Sequence, residues 1–165
     1  MLMHKDVEEI LISQEQIASK CQELGKQISA DYEGKTPILI SLLKGSIPFC
    51  AELVKNIECS MEMDFIDVSS YDGVSSTGKV TIKKDVSSDL TGRHIIFVED
   101  IIDTGLTLSE VIKYYKNKNI ASYEIVALID KPEGRKVEGL NPKYIGFNIP
   151  KAFVYSFWSA EYLLI

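Results

Sequence analysis

Ile96-Phe97-Val98-Glu99-Asp100-Ile101-Ile102-Asp103-Thr104-Gly105-Leu106-Thr107 is the stretch on which the reading of this chain turns. Together with Ile95 it opens as a short apolar run, the mark of a buried strand. Two adjacent carboxylates, Glu99 and Asp100, follow Val98 and are expected at the strand's end. A third acid, Asp103, follows two isoleucines. Thr104-Gly105-Leu106-Thr107 then leads into a helical pattern. Carboxylates at the end of a buried strand are costly to leave unpaired, so a cation or a set of hydroxyls should meet them. A Thr-Gly-x-Thr turn at a helix N-terminus offers unbonded backbone N–H groups and two hydroxyls, which suits a phosphate. Acids for sugar hydroxyls beside amides for a phosphate point to a phosphorylated sugar. An ordinary strand-to-helix turn with surface acids would leave the position of those acids unexplained.

The flanking segments alternate between strand and helix patterns. Residues 7–11 read as an edge strand. Ser13 with Gln16 forms a capping-box pattern, followed by an apolar stripe of Ile17, Cys21, Leu24 and Ile28 at helical spacing. Residues 37–43 are an almost unbroken apolar run, as expected of a central parallel strand. Lys44-Gly45-Ser46 breaks it, and residues 47–57 read as a helix with Pro48 in the first turn. Residues 61–66 alternate with period two. Residues 69–78 form a long polar loop, of the length often used as an active-site lid, and 80–83 return from it as a short strand. A helix over 106–119, a strand over 123–129, a loop over 131–142 and two short extended segments, 144–147 and 152–157, complete the chain. This order predicts one α/β domain spanning 1–165, with a mostly parallel sheet covered by helices on both faces. Ligands of such sheets sit beyond the carboxyl ends of the strands. Three strand ends carry polar features there, Lys44-Gly45, Glu99-Asp100 and Asp130-Lys131, so one shared crevice is expected.

Bulk properties narrow the function. At 165 residues, 45% hydrophobic and 25% charged, the chain is an ordinary globular domain. Its formal net charge of −6 argues against nonspecific nucleic-acid binding. Three cysteines, Cys21, Cys50 and Cys59, lack metal-type spacing and read as small apolar residues in a reducing compartment. Only two histidines are present, which makes a zinc site improbable. No apolar stretch is long enough for a membrane span, and the acidic N-terminal residues do not resemble a signal peptide. The cytoplasm is the expected location.

The Val98–Gly105 run resembles the phosphoribosyl-diphosphate (PRPP) motif of the type I phosphoribosyltransferases, in the form found in their 6-oxopurine branch. The resemblance covers roughly residues 5–154. It implies the type I phosphoribosyltransferase fold, with a small hood made from the chain ends. It implies that Glu99 and Asp100 hold the ribose hydroxyls while Asp103, Thr104, Gly105, Leu106 and Thr107 wrap the 5′-phosphate. Asp103 would be the general acid/base at the purine, although an Asp there could instead cap the helix. Leu43-Lys44-Gly45-Ser46 matches the family's diphosphate-contacting loop through Lys44 and Gly45, and Ser70-Tyr71 matches its closing lid. Lys131 matches the lysine that donates to a 6-oxo group. Tyr144 and Ile145, in Tyr-Ile-Gly-Phe, match the element that stacks on the base and reads its edge. Arg135 is placed near the purine or diphosphate. The implied reaction is purine salvage: hypoxanthine, and guanine beside it, takes the phosphoribosyl group from PRPP to give IMP or GMP and diphosphate. Mg²⁺ is the implied cofactor, held mainly by PRPP, with Glu99 and Asp100 acting on it indirectly. The implied assembly is a homodimer or homotetramer.

The match fails at residues 151–165. Lys151 stands where the family commonly has an acid, and neither the family's glycines nor its diphosphate-gripping arginine follows. A catalytically weakened homologue is therefore one alternative. A PRPP- or nucleotide-sensing regulatory protein is another, disfavoured by the acidic charge balance.

Overall fold

The computed structural model of the protein describes residues 10–70, 80–150 and 162–164. At its centre lies β5 (His94–Ile102), which carries the acids of the opening motif. It lies between β2 (Ile38–Leu43) and β6 (Ser122–Asp130), parallel to both. β3 (Glu62–Ser70) lies parallel to β2 on its other side, and β4 (Val80–Lys84) returns antiparallel as one edge. β7 (Tyr144–Asn148) adds parallel to β6 as the other edge, giving the order β4-β3-β2-β5-β6-β7. A separate antiparallel pair joins β1 (Ile10–Ser13) to β8 (Tyr162–Leu164), so the two ends of the chain do meet in a small hood.

The central strands are apolar on both faces because helices cover both. Leu39, Ile96, Val98, Val126 and Leu128 point to one side and pack with Cys21, Leu24 and Ile28 of α1 (Gln14–Asp31) and Phe49 and Leu53 of α2 (Ile47–Val54). The alternate residues Ile38, Ile40, Ile95, Phe97, Ile125 and Ala127 point to the other side. They meet Leu108, Val111, Ile112 and Tyr115 of α3 (Leu106–Lys116). This is the period-two alternation of a pleated strand, with both sets buried.

Local signals set the helix ends. Ser13 caps α1 as expected: its hydroxyl accepts from Gln16 N–H, while the Gln16 side chain accepts from Ser13 N–H at 2.7 Å. Pro48 sits in the first turn of α2, where its missing N–H costs nothing. α3 ends at Lys116, before the expected residue 119, and Asn119 then takes a positive φ of 53°. The three cysteines are free, two buried and Cys59 half-buried. Burial, aided by Glu52, pushes the Cys21 thiol up to about 12.

The chain winds outward from β2 through α2 to β3 in one direction. From β5 it winds through α3 to β6 in the other. Right-handed crossovers then place α2 and α3 on opposite faces and open a crevice between the carboxyl ends of β2 and β5.

Candidate active site

β5 corrects the expected position of the acids. It does not end at Val98. Glu99, Ile101 and Ile102 remain paired with Ala127, Ile129 and Asp130 of β6, while pairing with β2 stops at Ser41 opposite Val98. Glu99 and Asp100 therefore sit inside a strand that has lost one neighbour. The cause is β2, which ends at Leu43 and turns away through residues 44–46. The Ser46 hydroxyl bonds back to Leu42 O and meets the Ser41 hydroxyl at 2.7 Å. Burial, then the adjacent Asp100 charge, pushes the Glu99 carboxyl well above the ordinary carboxylate range. Asp100 accepts from Ile101 N–H at 2.8 Å.

The loop after β2 is pressed onto this pair. A Cβ on Gly45 would stand 2.5 Å from Asp100 Oδ2, so any other residue there would have to shift the loop or the carboxylate. Gly45 is not among the positive-φ residues, so close packing and not a left-handed backbone calls for glycine; the Leu43–Lys44 peptide before it is cis. Lys44 is exposed beside it.

Past β5 the chain makes the expected turn. Gly105, at φ 76°, is the residue before α3, and no side chain caps that helix. Leu106 N–H reaches Thr104 Oγ1 at 3.4 Å. Asp103 thus does not cap α3. Its carboxylate is half exposed and lies 3.6 Å from Lys131 Nζ, while the Lys131 side chain is only 5% exposed. The two side chains assigned from sequence to the purine side of the site thus come together. A lysine and a carboxylate at this spacing can address neighbouring atoms on one purine edge, the 6-oxo oxygen and N7.

Tyr144 and Ile145 are not brought to the crevice. They pair with Val126 and Ala127, whereas the site lies at the Asp130–Asn148 end of the same ladder, about 13 Å farther along the strand. The Tyr144 ring is buried in the core, and its hydroxyl donates to Asp31 Oδ2 at 2.7 Å. Lys143 Nζ reaches the same oxygen at 2.8 Å. Burial and the Asp31 bond raise the Tyr144 phenol well above its usual range. Its work is to fasten the end of α1 to the start of β7. Gly146 belongs to the same packing, since any Cβ there would strike the Leu128 carbonyl.

Arg135 is held within the wall of the crevice. Its guanidinium is bound to the Asp130 carboxylate and donates to Leu140 O at 3.2 Å. Asp130 was read from sequence only as part of a polar strand end; its role as the partner of Arg135 is what sequence reasoning missed. The available signal was an acid ending an apolar strand immediately before a lysine. Ser69 and Ser70, expected to open the lid loop, are instead the last residues of β3, paired with Thr81 and Val80 of β4; Tyr71 lies outside the described residues, as does the tail from 151 to 161.

Among the described residues no group of three or more His, Cys, Asp or Glu is placed to hold a metal ion. Two adjacent acids with a backbone loop against one of them fit an ion carried in by a diphosphate and oriented through its sugar. No helix among the described residues is long and apolar enough to cross a membrane.

Parallel sheet, switch-point crevice and strand–acid–turn motif together define the type I phosphoribosyltransferase class. The phosphoribosyl transferase domain model matches residues 7–163, and the chain belongs to that family, within its hypoxanthine-guanine branch. The hypoxanthine-guanine phosphoribosyltransferase of Streptococcus pneumoniae is 49% identical over 93% of this chain and 85% of its own length. That of Bacillus subtilis is 44% identical over the same shares of the two chains. A crystal structure of a hypoxanthine phosphoribosyltransferase from Staphylococcus aureus superposes with a TM-score of 0.91 at 38% identity, covering 99% of this chain and 94% of that one.

Proposed function

We propose that this enzyme serves purine salvage, transferring the phosphoribosyl group of PRPP to hypoxanthine, and to guanine, with release of diphosphate. The carrying observation is the meeting of Lys131 Nζ and the Asp103 carboxylate at 3.6 Å, beside the acid pair and the Gly105 turn. Glu99 and Asp100 accept from the ribose hydroxyls. The backbone N–H groups of residues 104–107, with the Thr104 and Thr107 hydroxyls, take the 5′-phosphate. Lys44 and Gly45 contact the diphosphate, and Ser70 and Tyr71 close over the reacting centre to keep water from the activated sugar. Lys131 donates to the 6-oxo oxygen; an amino group there would present donor to donor, so adenine is rejected. Asp103 takes the purine proton as the C1′–N bond forms and the C1′–O bond to diphosphate breaks. Mg²⁺, bound with PRPP, would neutralise the leaving diphosphate. The reading includes a cytoplasmic location and a homodimer or homotetramer.

The test is a nucleotide-formation assay with PRPP and Mg²⁺ against hypoxanthine, guanine, xanthine and adenine in turn. IMP and GMP should form, and AMP should not. Failure to form any 6-oxopurine nucleotide would overturn the assignment.

A further inference from the structure

Residues 131–140 fold back onto residues 102–106 at several points. Lys131 N–H donates to Ile102 O and Lys136 N–H to Thr104 O, each at 2.9 Å. Gly134 lies so near the Asp103 carboxylate that any Cβ would collide with it. Gly105 faces Leu140 and Arg135: a Cβ built there would stand 2.6 Å from Leu140 Cδ2, 3.0 Å from Arg135 Cδ and 3.6 Å from Nε. The Arg135 side chain is 13% exposed and its partner Asp130 8%. Asp130 immediately precedes Lys131, and its carbonyl accepts from Ile149 N–H at 3.0 Å. One side chain therefore touches the strand end that carries the base-reading lysine, the turn that takes the phosphate, and the returning loop at Leu140.

We propose that Arg135 is a positioning residue that ties the base-binding end of β6 to the phosphate turn, and that the coupling between PRPP and 6-oxopurine binding runs through it. Arg135 has this role only if Lys131 and residues 99–107 bind as assigned above. A guanidinium is always charged and holds a carboxylate through a rigid planar fork. Pulling such a buried pair apart leaves uncompensated charge, so Asp130 and the Arg135 stem move together. Gly105 rests on that stem and on Leu140, whose carbonyl Arg135 holds, with no side chain of its own between them. A ligand that orders the Gly105 turn therefore also orders the Asp130–Lys131 end of β6. Linkage makes the effect reciprocal.

The experiment is calorimetry on the full chain with Mg²⁺. PRPP is titrated alone and again with a saturating hypoxanthine analogue in which carbon replaces the nitrogen that would be ribosylated. The ratio of the two PRPP affinities is the coupling factor. It should be about fivefold or more in the wild type and at least about threefold smaller in Arg135→Met. Arg135→Lys, which keeps the charge and loses the fork, should show the same direction and stands in if the methionine variant does not fold. A merely structural role would lower the melting temperature and leave the ratio unchanged. A wild-type factor of one, or a wild-type factor in either variant that folds, overturns the proposal. In Lys131→Ala the analogue should bind at least about tenfold more weakly while PRPP alone binds as before; unchanged analogue binding there removes the base-site assignment instead.

Discussion

Asp103 stands half open to solvent, leaves the end of α3 uncapped and keeps its carboxylate beside Lys131. Those three facts leave it available for proton transfer. Asp103→Asn should lower kcat for IMP formation by roughly a hundredfold or more with little change in melting temperature; an undiminished kcat removes Asp103 from the chemistry. Lys131→Ala should lower kcat/KM for hypoxanthine by roughly tenfold to a hundredfold, the worth of a charged hydrogen bond. Competition assays with adenine would show the barrier to that base weakened in the same variant. Gly45 gives a steric test. An alanine methyl 2.5 Å from Asp100 Oδ2 must displace the loop or the carboxylate, so Gly45→Ala should raise the KM for PRPP by roughly tenfold or more. Steady-state kinetics with PRPP varied would check it.

Elements were legible where the signal was local. The Ser13–Gln16 capping box starts α1 as read, and its apolar stripe packs as read. Ser13→Ala should cost about 1 kcal/mol of stability, measurable by urea unfolding, with kcat unchanged. The apolar run of β2 became a central strand because nothing else can bury both of its faces. What could not be read was set at a distance. β5 runs on past its acids because β6 holds it there, and each partner residue, such as Ala127 for Glu99, lies 28 positions downstream. Tyr144 carries the right side chain for stacking on a base, but strand register, not residue type, places it at the far end of the sheet. Arg135 announces a charge and not its counterpart: only the folded chain brings Asp130 and Gly105 to it. The crevice was legible as a set of strand ends. The links between its walls were not.

At the scale of the whole molecule, stability away from the site leans on two carboxylates, buried Asp64 and half-buried Asp85, that tie a loop to β3 and to the region of α3. Asp64 of β3 is 6% exposed and accepts from Phe65 N–H, Ser87 N–H and Ser88 N–H and from both serine hydroxyls. Burial alone would raise its carboxyl, but these bonds outweigh it and hold it at about 2. Asp85 is likewise held below the usual range: burial opposes, and the bonds from Lys118, Tyr114, Tyr115 and Val86 N–H prevail. The sign follows from linkage. A carboxyl that is more acidic in the folded than in the unfolded chain stabilises fully above the unfolded value, near 3.9. That stability is lost as pH falls from about 4 through about 2. For Asp64 the loss is about 2–3 kcal/mol. Thermal unfolding from pH 6 to 2 should show it, with a flatter acid limb in Asp64→Asn; an unchanged limb in that variant would contradict the assignment.

The asymmetric neighbourhood of β5 also has a temporal consequence. From Ile95 to Val98 the strand is walled in by parallel partners on both sides, whereas from Glu99 to Ile102 only one wall remains. Backbone amides in the first stretch should keep their protons in deuterated water until the whole domain opens, while those in the second surrender theirs through smaller, local breaths. Peptide-resolved deuterium uptake would therefore show two clocks within a single strand, the quicker one slowing when PRPP supplies the missing wall.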